Sequence, residues 1–474
     1  MSKLLDIEYK IMEEEFAFSM GIQAYIFGLP MTIFERERRI RLDPELIAAQ
    51  ADVAPVAPIN QIGNMSSLAT SDDILPYTPN NDTIYSGGIV ELIDEPIIMT
   101  TPDILDRYWS VEVADTFLVN RFYLGSRAND GYGGNHAFVG PNFLGELPEG
   151  VVEHRMTYNS NIFALRIAVD KNNVDEDTKK VLELQKKFKL TSLSNWNKGF
   201  IGEAAVPESI AAKPDYQDPL GFFRLFADLT MDNMPTEIHS PQWKPFHYIG
   251  LVPGKKFDSD SISKATKEGL IRAAKMGPNI MKWKVKYRGT SYLTRWNKLH
   301  EGSYGTDYLD RAAGALEGLF VHDYEEAIYY STYESCTVKK KEDGSTVVVD
   351  GVFFDSSNKY VMHFEPGQIP MTKTNGFWSL TMYGNDFQLV ANEIHRYSIS
   401  DRTTGVTYND DESLDIYIQS TEPMDKKKAG NWLPCSQTPG ELFRVNYRIY
   451  LPGYKVQYPD RELQFIPPIL KVSD

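Results

Sequence analysis

Leu442-Phe443-Arg444-Val445-Asn446-Tyr447-Arg448-Ile449-Tyr450-Leu451 reads as a β-strand. Successive strand side chains point to opposite sides, so Val445, Tyr447, Ile449 and Leu451 share one face. Arg444, Asn446, Arg448 and Tyr450 share the other. One apolar face and one polar face is the patterning of a β-sandwich or jelly roll. From residue 345 onward the chain keeps this character, with strands expected at Thr346–Phe354, Tyr360–Phe364, Phe377–Tyr383 and Leu414–Gln419. Pro467 and Pro468 make the end an extended tail.

Working toward the N-terminus, the pattern changes. Residues 190–335 read as mainly helical. Ser261–Met276 carries a stripe ended by Gly277-Pro278. Thr306–Phe320 holds Ala312, Ala313, Gly314, Ala315 and Gly318, small enough for close packing on another element. Residues 171–188 form a charged helix, acidic early and basic late, where a domain change is expected. Before it, 52–170 shows short strands at Ile89–Ile93, Pro96–Thr100, Tyr108–Asp115 and Ile162–Val169. A first helix over 6–29 is closed by Pro30, and Arg36, Arg38, Arg39 and Arg41 follow as a solvated face. The domains are thus 1–50 (helical), 51–170 (β), 171–340 (mainly helical) and 341–474 (β), an α+β protein.

The chain has 474 residues, 42% hydrophobic and 24% charged, the composition of a soluble globular protein. Its net charge of −16 repels phosphate backbones and anionic lipid, which argues against nucleic-acid and membrane partners. Cys336 and Cys435 are far apart and outside any CxxC, which fits free thiols in a reducing compartment. No apolar run nears the ~20 residues of a membrane span, and no secretory signal is evident, so a cytoplasmic location is expected.

Three constellations carry chemistry. The first is Pro79-Asn80-Asn81-Asp82-Thr83-Ile84-Tyr85-Ser86, richer in hydrogen-bonding side chains than a turn requires. It is followed by Arg107-Tyr108-Trp109-Ser110-Val111-Glu112-Val113-Ala114-Asp115, where Asp115 shares the apolar face of Trp109, Val111 and Val113. Such an acid must be paired, sit at a wet end or be protonated. Asp82, Tyr85, Arg107 and Asp115 are the catalytic candidates, with Asp82 as base and Arg107 as anchor for hydrolysis of a polar small molecule. Asn80, Asn81 and Thr83 would bind substrate. The competing reading is an Asp–Arg pair with Asx bonds holding a corner. The second constellation is His363 and Glu365, on one strand face, with His395 as a third candidate ligand for a divalent metal; the sequence leaves any other cofactor open. The third, Asn409-Asp410-Asp411-Glu412-Ser413 with Asp415, lacks EF-hand spacing and reads as a hairpin turn. Gly125–Gly134 is expected to be a flexible hairpin or lid, and His322-Asp-Tyr-Glu-Glu326 a helix-capping acidic turn.

Two strands echo each other. Tyr108-Trp-Ser-Val-Glu-Val113 and Phe377-Trp-Ser-Leu-Thr-Met382 share the order aromatic, Trp, Ser, aliphatic, polar, aliphatic. These segments carry a resemblance. With Glu95-Pro96-Ile97-Ile98, Gly140-Pro141, Pro148-Glu149-Gly150, Arg396-Tyr397-Ser398-Ile399, Asn431-Trp432-Leu433-Pro434 and Pro467-Pro468-Ile469, the chain resembles the family of paired domains of unknown function, DUF 1254 followed by DUF 1214. The resemblance implies an immunoglobulin-like first β domain, a helical middle and a jelly-roll-like C-terminal domain. Trp378, Tyr383 and Arg396, within or beside its second-half markers, are the substrate-side candidates there. The expected function is an enzyme or binder of a polar small molecule, with its cleft near residues 80–115. The alternative is a structural protein that assembles through its β domains, and a homo-oligomer is expected.

Overall fold

A computed structural model describes residues 2–51, 53–73, 78–208, 210–212, 214–287, 294–298, 302–340, 346–453 and 466–472. Two β units flank a helical layer. In the first, a five-stranded antiparallel sheet contains Thr83–Glu91, Ser160–Ala168 and Trp109–Asp115 side by side. A four-stranded sheet centred on Gly134–Val139 and Ile97–Thr101 packs on it. Trp109, Val111, Val113 and Leu165 from one sheet and Met99 and Phe138 from the other share a core, as alternation requires.

The second unit repeats the plan. Thr372–Gly384 and Phe443–Pro452 pair in a five-stranded sheet, and Tyr360–Phe364 lies in a six-stranded one. Trp378, Tyr447 and Ile449 meet Met362, Phe364 and Ile416 in the core. The segment expected as an extended tail is a paired strand: Ile469–Lys471 inserts between Glu334–Lys340 and Tyr360–Phe364. A strand can sit there because its prolines precede it and leave its own N–H groups free to pair.

The helices differ from expectation in one respect. The first runs Ser2–Arg41 through Pro30, and the central one Lys264–Tyr287 through Pro278. A proline removes one backbone hydrogen bond and crowds the preceding turn. Tertiary packing overrides both. The buried Arg311 guanidinium donates to the Phe27 carbonyl, one turn before Pro30, at 2.9 Å. The two long helices touch so closely that a Cβ at Gly269 would lie 2.4 Å from the Glu14 carbonyl oxygen. Within Ile7–Arg41 an 18-residue window of the first helix is, by length and composition, apolar enough to cross a membrane, with mean hydropathy 1.4. Of that window 56% is buried inside the protein. Tyr25, Leu29 and Ile33 pack with Ala312 and Ala313 of the helix Tyr308–Gly318 against Ile89 and Ile162 of the first unit.

The first β unit also extends further than residue 170. The helix Val174–Gln185 packs on it, and Lys189–Ser192 pairs with Ile97–Thr100. Gly125–Gly134 is a cross-over between the two sheets, not a hairpin or lid. The Asn129 carboxamide accepts from the Gly125 N–H at 2.5 Å, and Gly125 and Gly131 adopt φ of 131° and 80°.

The echoed strands meet. Trp109 and Trp378 each point into their own sandwich, while Tyr108 and Phe377 point at each other across the junction, ring centroids 6.0 Å apart. Tyr450 stacks on Phe377 at 4.4 Å and completes the contact. The shared pattern therefore has a shared cause: an aromatic for the interface, then a Trp for the core.

Candidate functional site

The polar face of Phe443–Pro452 does not meet solvent; all ten residues are buried. Asn446, Arg448 and Tyr450 form one wall of a cavity of about 830 Å³. Thr83, Tyr85 and Arg166, on paired strands of the first unit, form the facing wall. Val56, Phe163, Leu316 and Phe320 supply apolar surface, and Arg36, Glu37 and Arg41 of the first helix line one end. Thr83 and Tyr85 alternate with Ile84 and Ser86, so the cavity takes one face of that strand and its neighbours the other.

Asn80 ties the walls together. Its carboxamide nitrogen donates to Tyr450 Oη at 2.7 Å and Tyr85 Oη at 3.2 Å, and lies 3.3 Å from Thr83 Oγ1. Arg166 Nε donates to Tyr85 Oη at 3.3 Å. Arg448 donates to Thr381 Oγ1 at 2.9 Å, Tyr383 Oη at 2.8 Å and the Thr78 carbonyl at 3.2 Å. Tyr383 in turn donates to the Pro79 carbonyl at 2.7 Å. Burial works against the Arg448 charge, but surrounding phenol oxygens and Asp82 more than offset it, so Arg448 stays a cation. Burial also lifts Tyr329 and Tyr450 above the usual phenol range, so both keep their protons.

Behind Arg166 lies a buried polar network. Arg166 Nη1 is 2.6 Å from Glu112 Oε2, and His322 Nδ1 lies 3.2 Å from the same oxygen, off the hydrogen-bonding direction. Burial raises the Glu112 carboxyl, but His322 and Arg166 outweigh it and hold it at about 2. Tyr108 Oη donates to Glu326 Oε1 at 3.0 Å, and Arg127 Nε to Glu326 Oε2 at 2.6 Å. His322–Glu326 therefore caps no helix; it leads into the strand Ala327–Thr332 and carries two buried members of this network. Beside it, Leu319 has φ 69° and the Phe320 N–H bonds the Gly318 carbonyl at 2.8 Å, a strained γ-turn at the cavity wall.

The expected site residues separate into groups. Asn80, Thr83 and Tyr85 line the cavity, and Tyr383 stands directly behind Arg448. Asp82 is fully buried and is not a lining residue. Its Oδ1 lies 3.4 Å from Ser398 Oγ and 3.9 Å from Lys171 Nζ, and its Oδ2 has no hydrogen-bond partner among the described residues. Lys171 also donates to Asn81 Oδ1 at 2.5 Å, and Asn81 donates to the Ala69 carbonyl. Arg107 neither pairs with Asp82 nor shares a cleft with it. It forks onto Asp177 at 2.7 and 3.1 Å, because the helix Val174–Gln185 packs on that sheet. Asp115 resolves as the paired case, receiving Arg121 Nε at 2.8 Å and the Phe117 N–H at 2.8 Å. Trp378 is core. Arg396 donates to the carbonyls of Ala429, Gly430 and Trp432, holding the end of a short helix.

His363 is committed to Asp415, Nδ1 to Oδ1 at 2.7 Å, with Glu365 3.7 Å from Nε2. His395 sits elsewhere, 3.4 Å from Tyr397 Oη. Among the described residues no group of three or more His, Cys, Asp or Glu side chains is arranged to hold a metal ion. Asn409–Ser413 is a turn closed on itself: Ser413 Oγ donates to Asp411 Oδ1 at 2.6 Å.

Lys171 offers a pH test. Burial depresses its ammonium to about 8 against an ordinary 10.5, with Arg402 pushing the same way and Asp82 opposing. Between these values the unfolded lysine holds a proton that the folded one has released, so folding gains stability as pH rises. Wild type is expected to gain up to about 3 kcal/mol over Lys171→Met across that window, read by urea unfolding. Parallel pH profiles for the two proteins would sink the assignment.

Residues 59–192 match the family described as Protein of unknown function (DUF1254), and residues 334–454 the family described as Protein of unknown function (DUF1214). No curated protein matches the chain. A crystal structure of a Vibrio parahaemolyticus protein superposes with a TM-score of 0.67 at 22% identity, covering 96% of this chain and 100% of that one, so the two share a fold. A Burkholderia cenocepacia protein gives 0.44 at 12% identity, covering 96% and 95%. With both halves matched in order around the helical layer, the chain belongs to the family that pairs a DUF1254 domain with a DUF1214 domain.

Proposed function

We propose that the protein binds a small organic molecule in the cavity between its two β units, as a binding protein or as an enzyme acting on that molecule. One observation carries this reading: the arginine-bearing face of Phe443–Pro452 is turned into a cavity of about 830 Å³. That volume lies in the ~300–1,000 Å³ range of ligand sites, and apolar walls with a few convergent polar groups are their usual make-up. The reading moves the site from Asp82 and Arg107 to Asn80, Tyr85, Arg166, Arg448 and Tyr450. The immunoglobulin-like and jelly-roll-like labels for the two units belong to this reading; their two-sheet cores support it.

Ala54 stands half-buried on the cavity wall, so Ala54→Trp fills space without entering a core. A fragment screen by ligand-observed NMR is expected to give hits on wild type that Ala54→Trp weakens by about tenfold or more. A screen without hits, or hits indifferent to this variant, would overturn the reading.

A second reading, self-association, has its own observation. Ile7, Tyr9, Ile11, Met12 and Phe16 are exposed apolar side chains on the first helix. Light scattering tests it: Ile11→Glu should dissociate any oligomer that forms there.

A further inference from the structure

The balance of donors, acceptors and charge around the cavity identifies what it takes. Resting on the proposed binding role, we propose that the ligand is a small amphiphilic monocarboxylate, its carboxylate against Arg448, Tyr450 and Tyr85 and its apolar part along Phe163, Leu316 and Phe320.

The polar end of the cavity is rich in donors. Asn80 gives both its N–H groups to protein oxygens, and two of these are Tyr450 Oη and Tyr85 Oη. Each phenol thereby accepts, and its own O–H is left to donate. Tyr329 lines the same wall and keeps its proton. Arg166 and Arg448 add guanidinium donors, which have no acceptor capacity. A ligand that brings acceptors completes this end; one that brings donors does not.

Charge narrows the class. Arg166 is neutralised by Glu112 at 2.6 Å, on the side away from the cavity. Arg41 is neutralised by Glu37 at 3.2 Å. Among the described residues, no carboxylate lies within ion-pair distance of Arg448. Its neighbours Thr381, Tyr383 and Thr78 are neutral oxygens that orient the guanidinium without cancelling its charge. Asp82 acts on Arg448 only from beyond ion-pair distance, so direct contact is open to one negative charge, and the guanidinium N–H groups not given to Thr381, Tyr383 and Thr78 can meet a carboxylate oxygen. A dianionic phosphate would bring a second charge into low dielectric without a partner. Arg36, more than half exposed at the cavity's end, shares Glu37 with Arg41, so that end is net positive and favours anion entry. Val56, Ile162, Phe163, Leu316 and Phe320 match a hydrocarbon or ring attached to the carboxylate, while Gln50, Ser67, Glu317 and Gln388 are among the polar side chains on the rest of the lining.

The test is a matched series measured by calorimetry on the full chain: octanoate and 4-phenylbutyrate, their primary amides, and octyl phosphate. Carboxylates are expected to bind about tenfold or more tighter than their amides. Tyr450→Phe keeps the ring and its stacking on Phe377, and should cost the carboxylates several-fold while leaving the amides little changed. Arg448→Lys keeps the charge, and should narrow the carboxylate preference by losing the fixed direction that Thr381, Tyr383 and Thr78 give to the guanidinium donors. Equal binding of acids and amides, or preference for octyl phosphate, would overturn the carboxylate assignment and leave the cavity reading standing. Absence of binding by every carboxylate would also overturn it. Loss of all binding together with an Ala54→Trp variant indistinguishable from wild type in the fragment screen would remove the cavity reading itself.

Discussion

Glu112→Gln is expected to lower stability by about 3–5 kcal/mol, the usual cost of breaking a buried ion pair from one side. Glu112 is fully buried, and its partner Arg166 is buried too. Gln keeps the shape and loses the charge, so Arg166 is left as a cation in low dielectric with neutral phenols such as Tyr85 beside it. The loss also has a pH signature. The carboxyl titrates near 2 in the folded protein against an ordinary 4.5. A depressed carboxyl contributes stability above its unfolded value and loses it as pH falls toward the folded one. Wild type should therefore shed up to about 3 kcal/mol between those values, and Glu112→Gln should not show that part of the slope. Glu112→Gln/Arg166→Gln should lose less than the two single changes added, by about 1–3 kcal/mol of coupling. Urea unfolding at several pH values measures all of this. A single-variant loss below about 1 kcal/mol would mean that water reaches the pair.

The same network explains what could be read in the sequence and what could not. Most of the strands that periodicity named stand within a residue or two of their expected places, because alternation and turn residues are local properties, while others such as Asn120–Gly125 and Ala327–Thr332 went unnamed. Tyr360–Phe364 and Leu414–Gln419 stand where they were expected. Helix ends were misplaced at Pro30 and Pro278 for a non-local reason. A proline's local cost is ~3 kcal/mol, and here it is outweighed by helix packing that brings Gly269 onto Glu14 and Arg311 onto Phe27. Alternation identified which residues share a face, as for Arg444, Asn446, Arg448 and Tyr450. It carries no information on whether that face meets water or a second β unit 280 residues earlier in the chain. The candidate site residues were grouped on the same local basis. Asp82 and Arg107 were grouped by proximity in sequence, while the residues that converge on the cavity come from strands at 83–91, 160–168, 327–332 and 443–452. Arg166 gave one usable signal: an arginine inside an otherwise apolar strand is rarely buried unless something meets it.

Trp109→Ala and Trp378→Ala should each cost about 3–5 kcal/mol, since both indoles are fully buried. Their Phe variants should separate. Trp109 Nε1–H donates to the Ile104 carbonyl at 3.0 Å, so Trp109→Phe strands a buried acceptor as well as losing volume. Trp378 Nε1–H has no partner among the described residues, so Trp378→Phe removes a donor that was already unsatisfied. Trp109→Phe is expected to be the more damaging by about 1–3 kcal/mol, although the two residues occupy the same place in the echoed pattern. Equal losses in chemical unfolding would mean that a hydrogen bond at one indole makes no difference. The pair also bears on the cavity. Tyr108 and Phe377 precede the two tryptophans and carry the junction against Tyr450, so loosening either strand should displace the phenol that Asn80 positions. Ligand binding to the Trp378→Phe protein, which keeps its core nearly intact, should survive; to Trp109→Ala it should weaken along with stability, because Tyr108 also holds Glu326 behind the Arg166 wall.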